Sequence, residues 1–223
     1  MIIIRPLIEV LGKIIKLPKN SYLHPTTLGS GVPSSSNWLR GDGSWQPITP
    51  GPTNYGLFAQ ISSSTPVTNT TSESSLIDGG VGSLSVPANA FSVGDSFHAS
   101  LSGQLSSKNN DTLRVMVRTA SGVILGDTGN ITMPGITNKF WDLEIHFTVR
   151  QIGAAGVASI VCSGGFTYSK NASNAFEGAD FSTINNTTFD TTTSNTLQIT
   201  VQWGSADVLN SIYSSHFVLN KTY

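Results

Sequence analysis

Charge is what this sequence most lacks. Only 11% of its 223 residues are Asp, Glu, Lys or Arg, against about 25% in ordinary globular proteins. Twelve basic and thirteen acidic residues leave a net charge of −1, so no basic field would draw the chain to nucleic acid. The solvent-facing surface must then be built from Ser, Thr, Asn, Gly and Gln. Short polar side chains of this kind compete for backbone hydrogen bonds and disfavour helices. They suit strands and tight turns.

Cysteine is nearly absent too. The single Cys162 excludes an internal disulfide framework. Preceded by Ile160 and Val161, with no His or Lys beside it to lower its pKa, it reads as a small buried hydrophobe. A chain of this length can bury a core without disulfides or metal. No long hydrophobic run is present. The most apolar stretch, Met1 to Leu17, is broken by Arg5, Pro6, Glu9, Lys13 and Lys16. It is too short to span a bilayer, so no membrane insertion is expected. No small-residue cleavage site follows it, so it is a poor secretory signal.

What remains divides into three regions. Residues 1–20 carry Ile2, Ile3 and Ile4, then Leu7, Val10, Leu11, Ile14, Ile15 and Leu17. From Leu7 onward the spacing is helical, weakened by Gly12; the isoleucine cluster reads equally well as a strand. The peptide is too apolar to float free. It is expected to be an anchor, with Ile2, Ile3, Ile4, Leu7, Leu11 and Ile14 docking on another protein or on copies of itself. The bland alternative is a segment packed back onto the rest of the chain. Residues 21–54 are rich in Gly, Ser and Pro, as a stalk or linker would be. Yet Trp38, Leu39 and Trp45 lie in this stretch. Two tryptophans around Gly41-Asp42-Gly43 predict a tight turn whose aromatic arms need a partner to bury against.

Residues 55–223 read as strands and turns. Phe97, Ala99, Leu101 and Gly103 alternate with His98, Ser100 and Ser102. Leu113, Val115 and Val117 alternate with Arg114, Met116 and Arg118. Trp141, Leu143, Ile145, Phe147 and Val149 alternate with Asp142, Glu144, His146, Thr148 and Arg150, ten residues of strict period two. Leu197, Ile199, Val201 and Trp203 continue the pattern. Turn clusters at Asn109-Asn110-Asp111, Ala120-Ser121-Gly122, Asp127-Thr128-Gly129-Asn130, Pro134-Gly135 and Ser163-Gly164-Gly165 separate these runs. The expected fold is all-β, an antiparallel jelly-roll-like β-sandwich head. An immunoglobulin-type sandwich is the alternative, without that fold's paired cysteines.

Gly31-Val32-Pro33-Ser34-Ser35-Ser36-Asn37-Trp38-Leu39-Arg40-Gly41-Asp42-Gly43-Ser44-Trp45 resembles the G-x-P-S-S-S-x-x-L-R-G-D-G-x-W segment of trimeric tail-fibre and related fibre proteins of bacteriophages. The resemblance implies a homotrimer, with Trp38, Leu39, Arg40, Asp42 and Trp45 in the stalk. The embedded Arg-Gly-Asp tripeptide belongs to this segment and is weak evidence for integrin binding. Within 75–223, Val86-Pro87-Ala88-Asn89 with Phe91, Gly94-Asp95-Ser96-Phe97, Ala172-Ser173-Asn174-Ala175-Phe176-Glu177-Gly178, Asn185-Asn186-Thr187-Thr188-Phe189-Asp190, Gln202-Trp203 and Asn210-Ser211-Ile212-Tyr213-Ser214 resemble C-terminal domains of virus fibre proteins. That likeness implies a place on the outer surface of a virion.

The residues for catalysis are scattered. His24 lies in the linker region, and His98, His146 and His216 fall on three separate strands with no close paired-His spacing for a metal. Asp142 and Glu144 share a strand face, about 6.5 Å apart at their stems, and could form a glycosidase pair; a solvated charged face is the simpler account. No P-loop, G-x-S-x-G, H-E-x-x-H or calcium-loop motif occurs. No enzyme activity, cofactor or metal is expected. Tyr168, Asn171, Asn174, Phe176 and Tyr213, placed in loops, offer aromatic and polar groups for sugar binding; Phe176 and Tyr213 read equally as core or inter-subunit residues, and no receptor-binding site is assigned. The expected partners are the chain's own copies, a capsid or tail protein held by the N-terminus, and a host-surface glycan. A capsid-decorating fibre without a receptor, or a jelly-roll lectin, are the alternatives.

Overall fold

The computed structural model describes residues 9–10, 13–14, 28–32, 37–39, 41, 43–47, 57–171, 175–186 and 188–223. The chain forms two units, Met1–Thr53 and Asn54–Tyr223. Among the described residues there is no helix, and the named strands pair antiparallel throughout.

In the first unit, β1 (Glu9–Val10) pairs with β2 (Lys13–Ile14), Glu9 opposite Ile14 and Val10 opposite Lys13. The helical spacing expected here is therefore overturned. Val10 and Ile14 are β-branched, which stiffens the side chain against a helical turn, and Gly12 lies between the two strands in the sequence. Next, β3 (Asn37–Leu39) pairs with β4 (Trp45–Pro47) across the Gly41–Gly43 stretch, Leu39 opposite Trp45. Ser30 clips onto this hairpin: its N–H donates to the Gly43 carbonyl at 2.8 Å, and its carbonyl accepts from Trp45 N–H at 2.7 Å. Gly43 holds a φ of 76°, a conformation that glycine adopts without steric cost.

The second unit begins with five short strands. They are β5 (Leu57–Gln60), β6 (Val67–Thr68), β7 (Ser74–Ser75), β8 (Gly80–Ser83) and β9 (Ser85–Val86). The rest are β10 (Ser96–Ser107), β11 (Asp111–Thr119), β12 (Ile124–Asp127), β13 (Ile131–Met133), β14 (Ile136–Gln151), β15 (Ser159–Ser169), β16 (Phe176–Asn186), β17 (Asn195–Trp203) and β18 (Ser211–Lys221). The larger sheet runs β16-β15-β14-β10-β18-β5-β8, with β6 also on β18. The smaller runs β12-β11-β17-β7, with β13 on β11 and β9 on β17.

Eight of these strands nest. β5 pairs with β18, β7 with β17, β10 with β14 and β11 with β12: first with last, working inward. β10 also pairs with β18, and β11 with β17. The path is one long antiparallel hairpin doubled over on itself, which makes a β-sandwich. β15 and β16 extend the larger sheet beyond β14.

The alternation read from the sequence sets the two faces. On β14, Trp141, Leu143, Ile145, Phe147 and Val149 are buried, and Asp142, Glu144 and His146 turn outward. From β10, Ala99, Leu101 and Leu105 join them; from the opposite sheet come Leu113, Val115, Val117, Ile199, Val201 and Trp203, in one core. Both buried indoles find acceptors, as their polar tips require. Trp141 Nε1 donates to the Gln104 and Tyr213 carbonyls at 3.2 and 3.1 Å, and Trp203 Nε1 to the Val67 carbonyl at 3.1 Å. Asp111 accepts from Thr112 N–H at 2.8 Å, from Ser205 Oγ at 2.5 Å and from the amide of fully buried Asn210. That network ties the β10–β11 turn to the β17–β18 connection.

One expected turn is not a turn. Ser163-Gly164-Gly165 lies inside β15. A side chain at Gly164 would collide with the Phe181 ring and the Glu144 carbonyl, and one at Gly126 would collide with the same ring. These two glycines, on opposite sheets, leave room for Phe181 of β16. The ring packs the added hairpin against β12.

Leu101 is fully buried at the centre of the larger sheet. Leu101→Ala should therefore cost about 2–5 kcal/mol, read by urea denaturation; a loss near zero would show that this position lies outside the cooperative core.

Candidate functional site

Two places gather functional side chains. The first is the outward face of the larger sheet. β10, β14 and β18 are neighbours, so the three histidines expected on separate strands share this face. His98 stands directly opposite His146, their rings stacked with centroids 4.7 Å apart and planes 12° from parallel. His98 Nε2 contacts Glu144, whose other oxygen accepts from Ser100 Oγ at 2.5 Å. Along the same face, Ser102 faces both Asp142 and His216 across the strand pairs.

Both carboxylate oxygens of Glu144 are thus engaged within the sheet. Burial, then the nearby Glu144 carboxylate, pushes the Asp142 carboxyl above its usual range, with His216 pulling the other way. Among the described residues no group of three or more His, Cys, Asp or Glu is placed to hold a metal ion. Cys162 points into the core, and burial pushes its thiol up to about 12.

The aromatic residues expected in loops are on strands. Tyr168 is fully buried in β15, its hydroxyl donating to Glu177 at 2.8 Å. This excludes it from surface binding, and its period-two position in a long strand is the reason. Tyr213 is half-buried in β18 and Phe176 opens β16, 67% exposed. Asn171 is exposed and donates to the Gly135 carbonyl at 2.7 Å; Asn174 lies outside the described residues. Phe140, 52% exposed on the outward face of β14, was not singled out by the sequence reading. Its outward parity follows from Trp141 pointing inward.

The second place is a cleft of about 320 Å³ between the sheets at their β5–β8 and β7–β17 edges. Phe58, Ile77, Leu84 and Leu197 supply its apolar wall, and Ser75, Asp78, Gly79, Thr196 and Gln198 its polar one. The Asp78 carboxylate is clamped. One oxygen accepts from Thr65 N–H at 3.3 Å and Thr65 Oγ1 at 3.2 Å, the other from Gly79 N–H at 3.0 Å. These bonds, the backbone donors of Gly79 and Thr65 foremost, hold the carboxyl below its ordinary range. A smaller apolar hollow of about 60 Å³ shares Leu84, Thr196 and Leu197 with the cleft. No local signal pairs Asp78 with Gln198: they are far apart in the chain and come to line one cleft beside the β7–β17 pairing.

Of the residues expected in the anchor and stalk, Ile14 lies in β2, Trp38 and Leu39 in β3 and Trp45 in β4. Leu39 is exposed and Trp45 half-buried. Ile2, Ile3, Ile4, Leu7, Leu11, Arg40 and Asp42 lie outside the described residues. No family model and no curated protein matches the chain.

A carboxyl whose pKa is raised by folding keeps its proton better in the folded chain. It weakens folding above its unfolded value of 3.8, and that cost disappears as pH falls through this range. Asp142→Asn should raise the melting temperature at pH 7, the gain shrinking to nothing below pH 3.8. Thermal melts across that range check it; a pH-independent difference would contradict it.

Proposed function

We propose that the chain is a structural protein of a virus particle, a homotrimeric fibre or spike. In this reading residues 1–20 hold it to a capsid or tail protein. The head is a jelly roll on the particle's outer surface and attaches to host-surface glycans. Three weak sites per fibre and many fibres per particle then act together through avidity.

One observation carries the reading. Every buried hydrophobic residue among those described lies at Val67 or beyond. In the first unit Leu28 is 41%, Val32 76% and Leu39 38% exposed. Apolar side chains without a core of their own take their burial from a neighbour, and copies wound around a common axis would supply one. This fits the fibre-type segment at 31–45, which these residues flank and occupy. The nested first-with-last pairing of the head supports the jelly-roll assignment. The scarcity of charge suits a surface that meets neutral, hydroxyl-rich ligands.

Light scattering on the full chain should give three times the 23.6 kDa chain mass. A monomer at micromolar concentration would overturn the trimer. Removing residues 1–20 should detach the protein from particles and leave the head folded by circular dichroism; retention on the particle would overturn the anchor.

A further inference from the structure

We propose that the cleft at Asp78 is a saccharide-binding site, and that it takes a neutral N-acetylated hexosamine. The inference rests on the attachment reading and assigns it a place on the head.

The cleft pairs an apolar wall with polar groups fixed before any ligand arrives. Asp78 is held by three donors from Thr65 and Gly79, and its backbone N–H is itself held by Gln60 Oε1 at 3.4 Å. Gln60 in turn reaches Ser214 at 3.0 Å. A carboxylate locked in this way still has a lone pair turned to solvent. With three of about four acceptor sites taken, it can accept one sugar hydroxyl without first losing side-chain freedom, which lowers the entropic cost of binding. Gln198 also lines the cleft, and its amide makes no hydrogen bond to the described residues. Amide donor and acceptor are both available there.

The apolar wall selects the class of sugar. Leu84 and Leu197 line both the cleft and the smaller apolar hollow, so they offer an apolar contact to a substituent of about methyl size. An acetamido group has that shape: its methyl suits the leucines, and its amide suits Gln198. Phe58 offers a ring to the sugar's apolar face. The position of Phe58 depends on Gly80, where any side chain would strike the ring. Electrostatics narrows the choice further. Among the described residues Asp78 is the only charged one in the lining, with no Arg or Lys beside it, so acidic sugars are repelled and neutral ones admitted.

The wall is also cross-linked by hydrogen bonds. The chain crosses from the larger to the smaller sheet at Leu84, whose carbonyl accepts from Leu197 N–H at 3.0 Å. Ser85 Oγ bonds Thr196 Oγ1 at 2.6 Å beside it.

The test is saturation-transfer NMR on the full chain. The probes are the methyl glycosides of N-acetylglucosamine and N-acetylgalactosamine, of glucose and galactose, and of N-acetylneuraminic acid. Transfer should concentrate on the acetyl methyl of a neutral N-acetylhexosamine and be several-fold weaker for the parent sugars and the acidic one. Asp78→Ala, at an exposed position, and Gln198→Ala, at a half-buried one, should each weaken binding about tenfold or more, with melting curves close to the parent. Transfer from no probe, or equal transfer in both variants, overturns the cleft. A glycan array separates this from the attachment reading. Array binding that survives Asp78→Ala overturns the cleft and leaves attachment standing; particles that adsorb to cells equally well without this protein overturn attachment itself.

Discussion

The double pairing of Ser96–Ser107 governs the head. This strand is hydrogen-bonded along most of its length to Ile136–Gln151 on one side and Ser211–Lys221 on the other. Its register therefore decides which residues of three strands go inward. A slip by one residue would carry Ala99, Leu101, Trp141, Leu143 and Phe217 to solvent and His98, Glu144 and His146 into the core. Burying that carboxylate and those imidazoles away from water would cost far more than any rearranged contact could restore. The register is thus fixed from both faces at once.

The same pairing explains why three histidines distant in sequence share one surface. Strand neighbours put their outward residues side by side, so chemistry that looks dispersed along the chain becomes a row across the sheet. Smaller adjustments fit around this frame. Ser102 and Gly103 mark an irregularity in the pairing with Ser211–Lys221. A side chain at Gly103 would strike the Tyr213 carbonyl, one of the two acceptors of the Trp141 indole. The glycine, the bulge and the buried tryptophan form one local solution.

Much of this was legible in the sequence. Alternation from Trp141 to Arg150 and from Phe97 to Leu105 identified strands and their buried faces, because period two is a local property. The reading went astray where distant residues decide. Leu7 to Leu17 has helical spacing, yet Glu9–Val10 and Lys13–Ile14 form a strand pair. Gly164 looked like a turn residue, but it is small because Phe181, on the next strand, needs its volume. Tyr168 looked like a loop aromatic and is a core residue. The cleft was invisible for the same reason: Asp78 and Gln198 come to line it beside a two-residue strand pairing that no periodicity announces.

The lone thiol has a practical meaning of its own. Cys162 lies on the strand second from the edge, between Ile136–Gln151 and the outermost Phe176–Asn186, and its sulfur is shut off from water. A thiol reagent can reach it only when the packing around it opens. With no other cysteine in the chain to confuse the signal, its labelling rate is a built-in clock for that opening. Comparing it with the melting of the whole tells whether that border of the head opens locally.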